Sequence, residues 1–266
     1  MIVVERPGLL TTVQDLGRPG HAHLGVPRAG AVDEPGLRRA NRLVGNPPGA
    51  AALEVTAVGP VLRFEQDATV AVHDRVRFVP AGTVLDVGPV PRGLRSYVAV
   101  RGGLDVPAVL GSRSTCTLSG LGPPPLAAGD RLAVGRDVAG EPRAVPVPAL
   151  ADEPVLRLLA GPRAEALAAE GLRVLTATAW RVGTASDRTA LRLDGPPLAR
   201  AAQGELPSEG LVPGAVQVPP DGRPVLFLAP PVTGGYPVVA VVRDEDRWRA
   251  AQCAPGTVLR FSTDPS

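Results

Sequence analysis

Apolar and polar positions alternate along most of the chain in short runs, the period expected of strands with one buried face. Ala68 to Val72, Ser96 to Arg101, Val225 to Leu228 and Val238 to Val242 are such runs, each bounded by Gly, Pro or Asp. Turn residues recur roughly every 8 to 12 positions, as in a β-rich globular fold. Ala81–Leu85, Ala128–Leu132 and Pro255–Leu259 repeat one device, a Gly at a turn before an alternating strand. A sheet that keeps reversing needs that device, so the pattern predicts a mainly β, barrel-like plan. His73 falls in one of the expected strands.

Three segments have helical spacing. The first runs from about Pro35 to Val44, with Asp33 as N-cap, Leu37, Ala40, Leu43 and Val44 on one face, and Gly45 to stop it. Its Arg38, Arg39 and Arg42 form the expected solvated face. A second runs from about Pro162 to Glu170 and ends at Gly171; a third runs from about Glu245 to Gln252, started by Asp244 and stopped before Pro255. Asp244, Glu245 and Asp246 then sit at the positive end of that helix. The Pro-rich stretch from Glu141 to Pro154 reads as a linker or extended crossover, and Pro123–Pro125 as a stiff connector. The expected organisation is one unit, 1–266, in two lobes of about 1–150 and 151–266.

Composition sharpens this picture at one point. All 28 basic residues are Arg and Lys is absent, which excludes a Walker-type phosphate loop, a pyridoxal Schiff base and a biotin attachment site on this chain. A bound anion would be held by Arg or by backbone N–H groups. A net charge of +2 and few aromatics (two Trp, two Tyr, four Phe) speak against nucleic acid. Cys116 and Cys253 have no metal-ligand spacing and read as free thiols in a reducing compartment. No metal site is expected at His21, His23 or His73. The start lacks the basic residues and long apolar run of a signal peptide, and no stretch approaches a membrane span, so the expectation is a cytoplasmic protein without membrane partners.

Three Gly-bearing loops carry candidate chemistry. In Thr11–Arg18, Gln14, Asp15 and Arg18 could grip a planar amide or carboxylate, or form a β-turn with an internal Asp–Arg pair. In Ser186-Asp187-Arg188, Arg188 could hold a phosphate or carboxylate while Asp187 orients it or takes a proton; the alternative is a turn capped by the Asp. In Thr233-Gly234-Gly235-Tyr236-Pro237, the Gly pair could form an anion-binding nest beside the Tyr236 hydroxyl, or a plain hairpin. Glu209 and Gln217 add polar groups on neighbouring loops. No Gly-x-Ser-x-Gly elbow is present, so a serine hydrolase reading fails, and with no His near either Cys in sequence a cysteine enzyme reading has little support.

Taken together these loops resemble a known family. Pro7-Gly8-Leu9-Leu10-Thr11-Thr12-Val13-Gln14-Asp15-Leu16-Gly17-Arg18, Gly25-Val26-Pro27, Leu43-Val44-Gly45-Asn46 and Ala51-Ala52-Leu53-Glu54 are similar to the biotin-dependent carboxyltransferase-like proteins. That family includes KipA, the second subunit of allophanate hydrolase and PxpC, the C subunit of 5-oxoprolinase. The likeness continues through Val100–Gly103, Leu110–Ser114, Ser186–Arg188, Ser208–Gly210, Gly214–Pro219 and Thr233–Pro237, over essentially the whole chain.

The resemblance implies a cyclophilin-like β-barrel architecture in two lobes. It implies partners, a KipI-like protein and a LamB/YcsF-like protein as the B and A subunits of one assembly. The implied reaction opens 5-oxo-L-proline to L-glutamate with ATP and water, the ATP bound with or by one of those partners. Within it, Arg188 with Gly234 and Gly235 would bind an anion, Gln14 and Gln217 an amide, and Asp187 or Glu209 would handle a proton. Asp15, Arg18, Ser186, Thr233 and Tyr236 complete the expected substrate or nucleotide contacts. The alternatives are a carboxyltransferase component acting on urea or a related amide, its biotin carried by another protein, and a non-catalytic regulator of a KipI-like partner. Two stretches depart from the family pattern. Leu228-Ala229-Pro230-Pro231-Val232 stands where an Asp, a polar residue and two Thr are common, and Thr189-Ala190 where Met or Val then Gly is usual.

Overall fold

A computed structural model of the chain describes residues 1–167, 170–201 and 207–263. They divide into two compact units, Met1–His21 with Arg28–Ala149, and Ala22–Pro27 with Leu150–Ser266. The protein is mainly β with a few short helices.

The first unit holds β1 (Ile2–Arg6), β2 (Leu10–Gln14), α1 (Glu34–Leu43), β3 (Ala52–Thr56), β4 (Val61–Phe64), β5 (Ala68–Val72), β6 (Arg75–Val79), β7 (Val84–Asp86), β8 (Arg95–Val100), β9 (Gly102–Leu104), β10 (Arg131–Leu132) and β11 (Val134–Asp137). Its two main sheets run β10-β1-β4-β7 and β2-β3-β8-β5-β6, and β11 pairs with β9. The five-stranded sheet is buried on both faces except at its exposed edge strand β6, and its buried side chains are sorted by size. Leu53, Val70, Val72, Val98 and Val100 join Ile2, Leu62 and Phe64 of the four-stranded sheet in one core. The alternate positions Ala52, Ala71 and Ala99 face α1 with Leu37, Ala40 and Leu43. Small residues on that side let the helix approach the backbone closely.

The capping of α1 follows its sequence. Asp33 Oδ1 accepts the Gly36 N–H at 2.8 Å, and Gly45 leaves the helix at φ +74°. Tyr97 anchors the same end: its hydroxyl donates to Glu54 at 2.8 Å and accepts the Asp33 N–H at 3.2 Å. Burial first, and then the Glu54 and Asp33 charges, push the Tyr97 phenol well above its ordinary value. Arg39 is not part of a solvated face, because its guanidinium pairs with Asp74 at 2.7 Å. His73 is not in a strand either; at φ +49° it shares with Asp74 (φ +61°) the two-residue turn joining β5 to β6. Left-handed backbone at both turn positions matches the twist of the flanking strands. Gly82, Gly129 and Gly256 all take positive φ before β7, β10 and the last strand, which is the reversal their spacing predicts.

The second unit holds β12 (Val155–Ala160), α2 (Gly171–Ala177), β13 (Ala179–Val182), β14 (Ala190–Asp194), β15 (Glu209–Gly210), β16 (Ala215–Gln217), β17 (Val225–Phe227), β18 (Thr233–Gly234), β19 (Val238–Val242), α3 (Arg247–Ala251) and β20 (Val258–Ser262). Seven of these strands close a barrel in the order β12-β19-β16-β17-β14-β13-β20, and β15 pairs with β18 as a separate ribbon. Alternating positions such as Leu156, Leu158, Leu191, Leu193, Leu259 and Phe261 are buried, as a closed barrel requires. The expected helix from Pro162 to Glu170 is replaced by a 3-10 turn at Ala164–Ala166, and residues 168 and 169 lie outside the described set. Gly171 opens α2 instead of ending a helix, and a Cβ there would come within 2.8 Å of Leu167 Cβ. The third helix starts with a 3-10 turn at Asp244–Asp246, so its α-helical part is shorter than expected.

Candidate functional site

The chain leaves β12 in a tight bend. A Cβ on Gly161 would stand 2.3 Å from the Val238 carbonyl, so only Gly lets this backbone run alongside β19. The Gly161 N–H then donates to Val239 and the Arg163 N–H to Val238, each at 3.0 Å, which fixes where the Arg163 side chain starts. Its guanidinium meets Glu209 of β15, with Nε 3.0 Å from Oε1 and 3.3 Å from Oε2 and Nη2 bonded to Oε1 as well.

The β15–β18 ribbon joins this ion pair to a buried amide. Glu209 lies directly opposite Gly234, and residues directly opposite in an antiparallel pair project to the same side. A Cβ on Gly234 would lie 2.9 Å from both Gln217 Nε2 and Leu211 Cδ1. Gln217 therefore packs against the side of the ribbon that carries Glu209. Its Nε2 donates to the Tyr236 carbonyl at 2.7 Å, and the side chain is buried. Arg163, Glu209, Gln217, Gly234 and Tyr236 thus form one polar constellation, with Thr233 and Tyr236 exposed at its margin.

Two expected roles change here. Neither Gly234 nor Gly235 has positive φ, so the alternating backbone of an anion nest is not formed. Gly234 is small because Gln217 occupies the space a side chain would need. Glu209 does not have the character of a proton carrier: hydrogen bonding from Arg163, reinforced by its charge, outweighs desolvation and holds the carboxyl below the ordinary range. It is a fixed negative charge that orients Arg163. No local motif announces Arg163, whose partner lies 46 residues further along.

Ser186, Asp187 and Arg188 form the turn before β14, whose Thr189 carbonyl accepts the Leu228 and Ala229 N–H groups. β14 pairs with β17 as Ala190↔Phe227, whereas β16 pairs with β17 as Gln217↔Val225. The turn preceding Ala190 therefore adjoins the opposite end of this ladder from Gln217. Asp187 Oδ1 accepts the N–H groups of Thr189 and Ala190 at 2.7 and 2.9 Å, and Ser186 Oγ accepts the Arg192 N–H at 3.0 Å. This is the capped turn rather than a poised acid; Arg188 is buried beside it.

Gln14, Asp15 and Arg18 belong to the first unit, where they latch two motifs together. Asp15 Oδ1 accepts the Gly17 N–H at 2.8 Å and the hydroxyls of Ser112 and Ser114, and its Oδ2 accepts the Arg113 N–H at 2.6 Å. The expected Asp15–Arg18 pair is absent. Arg18 instead donates to the carbonyls of Val109 and Ser114, and Gln14 Nε2 to Thr12 Oγ1 and the Thr115 carbonyl. Gln14 Oε1 and Arg18 Nη1 are buried with no partner among the described residues. Nor does any cluster of three or more His, Cys, Asp and Glu among them gather as metal ligands. None of the described helices is long and apolar enough to cross a membrane.

The profile of the carboxyltransferase domain, subdomains A and B, matches residues 24–263. The chain belongs to this carboxyltransferase domain family. It is 36% identical to the 5-oxoprolinase C subunit of Escherichia coli (strain K12), the match covering 98% of this chain and 90% of that protein. Against the 5-oxoprolinase C subunit of Haemophilus influenzae it is 33% identical, over 94% and 87% of the two chains. The solved urea amidolyase of K. lactis superposes with a TM-score of 0.92 at 30% identity over 98% of this chain, which spans only 18% of that longer one. Both kinds of relative share the carboxyltransferase fold; they differ in how much protein surrounds it.

Proposed function

We propose that this chain is the C subunit of a cytoplasmic assembly that opens 5-oxo-L-proline to L-glutamate with hydrolysis of ATP, working with a KipI-like protein and a LamB/YcsF-like protein as its B and A subunits. The match along nearly the full length of free-standing 5-oxoprolinase C subunits carries the reading. The site is consistent with it. A five-membered lactam presents its N–H and C=O on one edge, and the Gln217 carboxamide, with one N–H spent on Tyr236, keeps an acceptor and a second donor for that edge. A lactam held this way is oriented for attack by water at its carbonyl.

The chain has no Lys, and Gly234-Gly235 lacks the nest geometry, so in this reading ATP is bound by a partner and no step here runs through it. Urea also offers an N–H and C=O edge, and the urea amidolyase relatives support carboxyl transfer to such an amide as the second reading. Biotin would then arrive on another protein. Reconstitution with the KipI-like and LamB/YcsF-like partners decides between them: stoichiometric glutamate and ADP that depend on 5-oxoproline support the proposal. ADP release indifferent to 5-oxoproline overturns it.

A further inference from the structure

We propose that Arg163 is the specificity-determining residue of this site and reads a carboxylate on the amide substrate. The inference rests on the 5-oxoprolinase reading and goes beyond it, because 5-oxoproline carries a carboxylate and urea does not.

Three observations carry it. Glu209 holds the guanidinium by its Nε and Nη2 side, which leaves the Nη1 edge outside that pair; among the described residues the other acid near it is Glu165, whose long ion pair with Nη1, at 3.9 Å, is beyond hydrogen-bond reach. Arg163 keeps 42% of its side chain exposed, so the residue is open to solvent. The Gln217 amide lies on the same side of the β15–β18 ribbon as the pair, which puts an amide-reading group and a carboxylate-reading group on one face of the ribbon. Arg matches a carboxylate with two parallel N–H donors. Glu209 fixes the fork in place from its other edge, and its negative charge competes with that of an incoming carboxylate.

That competition gives the two partners opposite signatures. In the reconstituted complex, Arg163→Gln raises KM for 5-oxoproline roughly tenfold or more, as expected for a lost charge-assisted contact, with kcat changed less than about threefold. Glu209→Gln frees the guanidinium and lowers KM severalfold, while Arg163→Lys restores part of the loss. A merely structural ion pair would shift KM the same way in both Gln variants, and that result, or an unchanged KM in Arg163→Gln, overturns the proposal. Thermal melting of each variant shows that it is folded. If the wild-type complex does not turn over 5-oxoproline at all, the functional reading fails, and an NMR titration of the full chain then decides the site. Preference for 5-oxoproline over 2-pyrrolidone that vanishes in Arg163→Gln upholds a carboxylate-reading site, and absence of preference refutes it.

Discussion

The Ser112 hydroxyl donates to the carboxylate of Asp15 at 2.6 Å, closing a span of 97 residues. Two of the sequence motifs that carry the family likeness are thereby hydrogen-bonded to one another inside the first unit. Their placement points to architecture for Asp15, since its carboxylate is occupied by Gly17, Ser112, Arg113 and Ser114.

Asp15→Ala should therefore destabilise the first unit by about 3 kcal/mol or more, the range for breaking a hydrogen-bonded charge network. Urea unfolding measures the loss, and hydrogen exchange should show protection falling near residues 12–18 and 109–116 first. A midpoint indistinguishable from the wild type would contradict the latch.

Gly234→Ala places a methyl 2.9 Å from the Gln217 amide. Overpacking of this kind costs about 1–3 kcal/mol and displaces the side chain proposed to orient the substrate. Activity of the reconstituted complex should fall far more than stability does. Gln217→Leu, similar in size, should remove activity while the barrel still melts cooperatively, at a cost of about 1–3 kcal/mol for the unpaired Tyr236 carbonyl.

Asp187→Ala is expected to be mild. Its carboxylate caps the turn before β14, so the change should cost about 1 kcal/mol and leave turnover within twofold. A collapse of turnover with stability intact would restore a chemical role to Asp187.

Acid should weaken the second unit through Asp246. Burial alone would raise this carboxyl, but the side-chain and backbone hydrogen bonds of Arg157, with the charges of Arg249 and Arg157, bring it below the ordinary value of 3.8. A depressed folded value means the unfolded chain takes up the proton first. The stabilisation is complete above the ordinary carboxylate range and is lost as pH falls through that range toward the folded value. Denaturation midpoints against pH should show this loss in the wild type, and Asp246→Asn should flatten it.

Much of the local structure was legible because it depends on neighbours in sequence. Alternation marked Ala68–Val72 and Val238–Val242 with their observed ends, and Asp33 and Gly45 bounded α1 as a cap and a left-handed stop should. Local spacing misled elsewhere: the 162–170 segment has helical spacing, yet only a 3-10 turn forms at Ala164–Ala166 and the α-helix begins at Gly171. His73 has the sequence neighbours of a strand residue, but its ring bonds Ser96 and the Val87 carbonyl, both at 2.9 Å, from a turn.

Periodicity, φ preference and residue type are local properties, so the β-rich class, the reversing turns, the family likeness and the restriction of cation chemistry to Arg could be read from the order of residues. Tertiary structure alone decided which polar groups share a site. Closure of the barrel and the register of β15 against β18 bring Arg163 to Glu209 and Gln217 to Gly234, and the β14–β17 register sends Ser186–Arg188 to the other end of the ladder. Those juxtapositions arise from strand pairing between residues far apart in the chain, and local spacing carries no record of them.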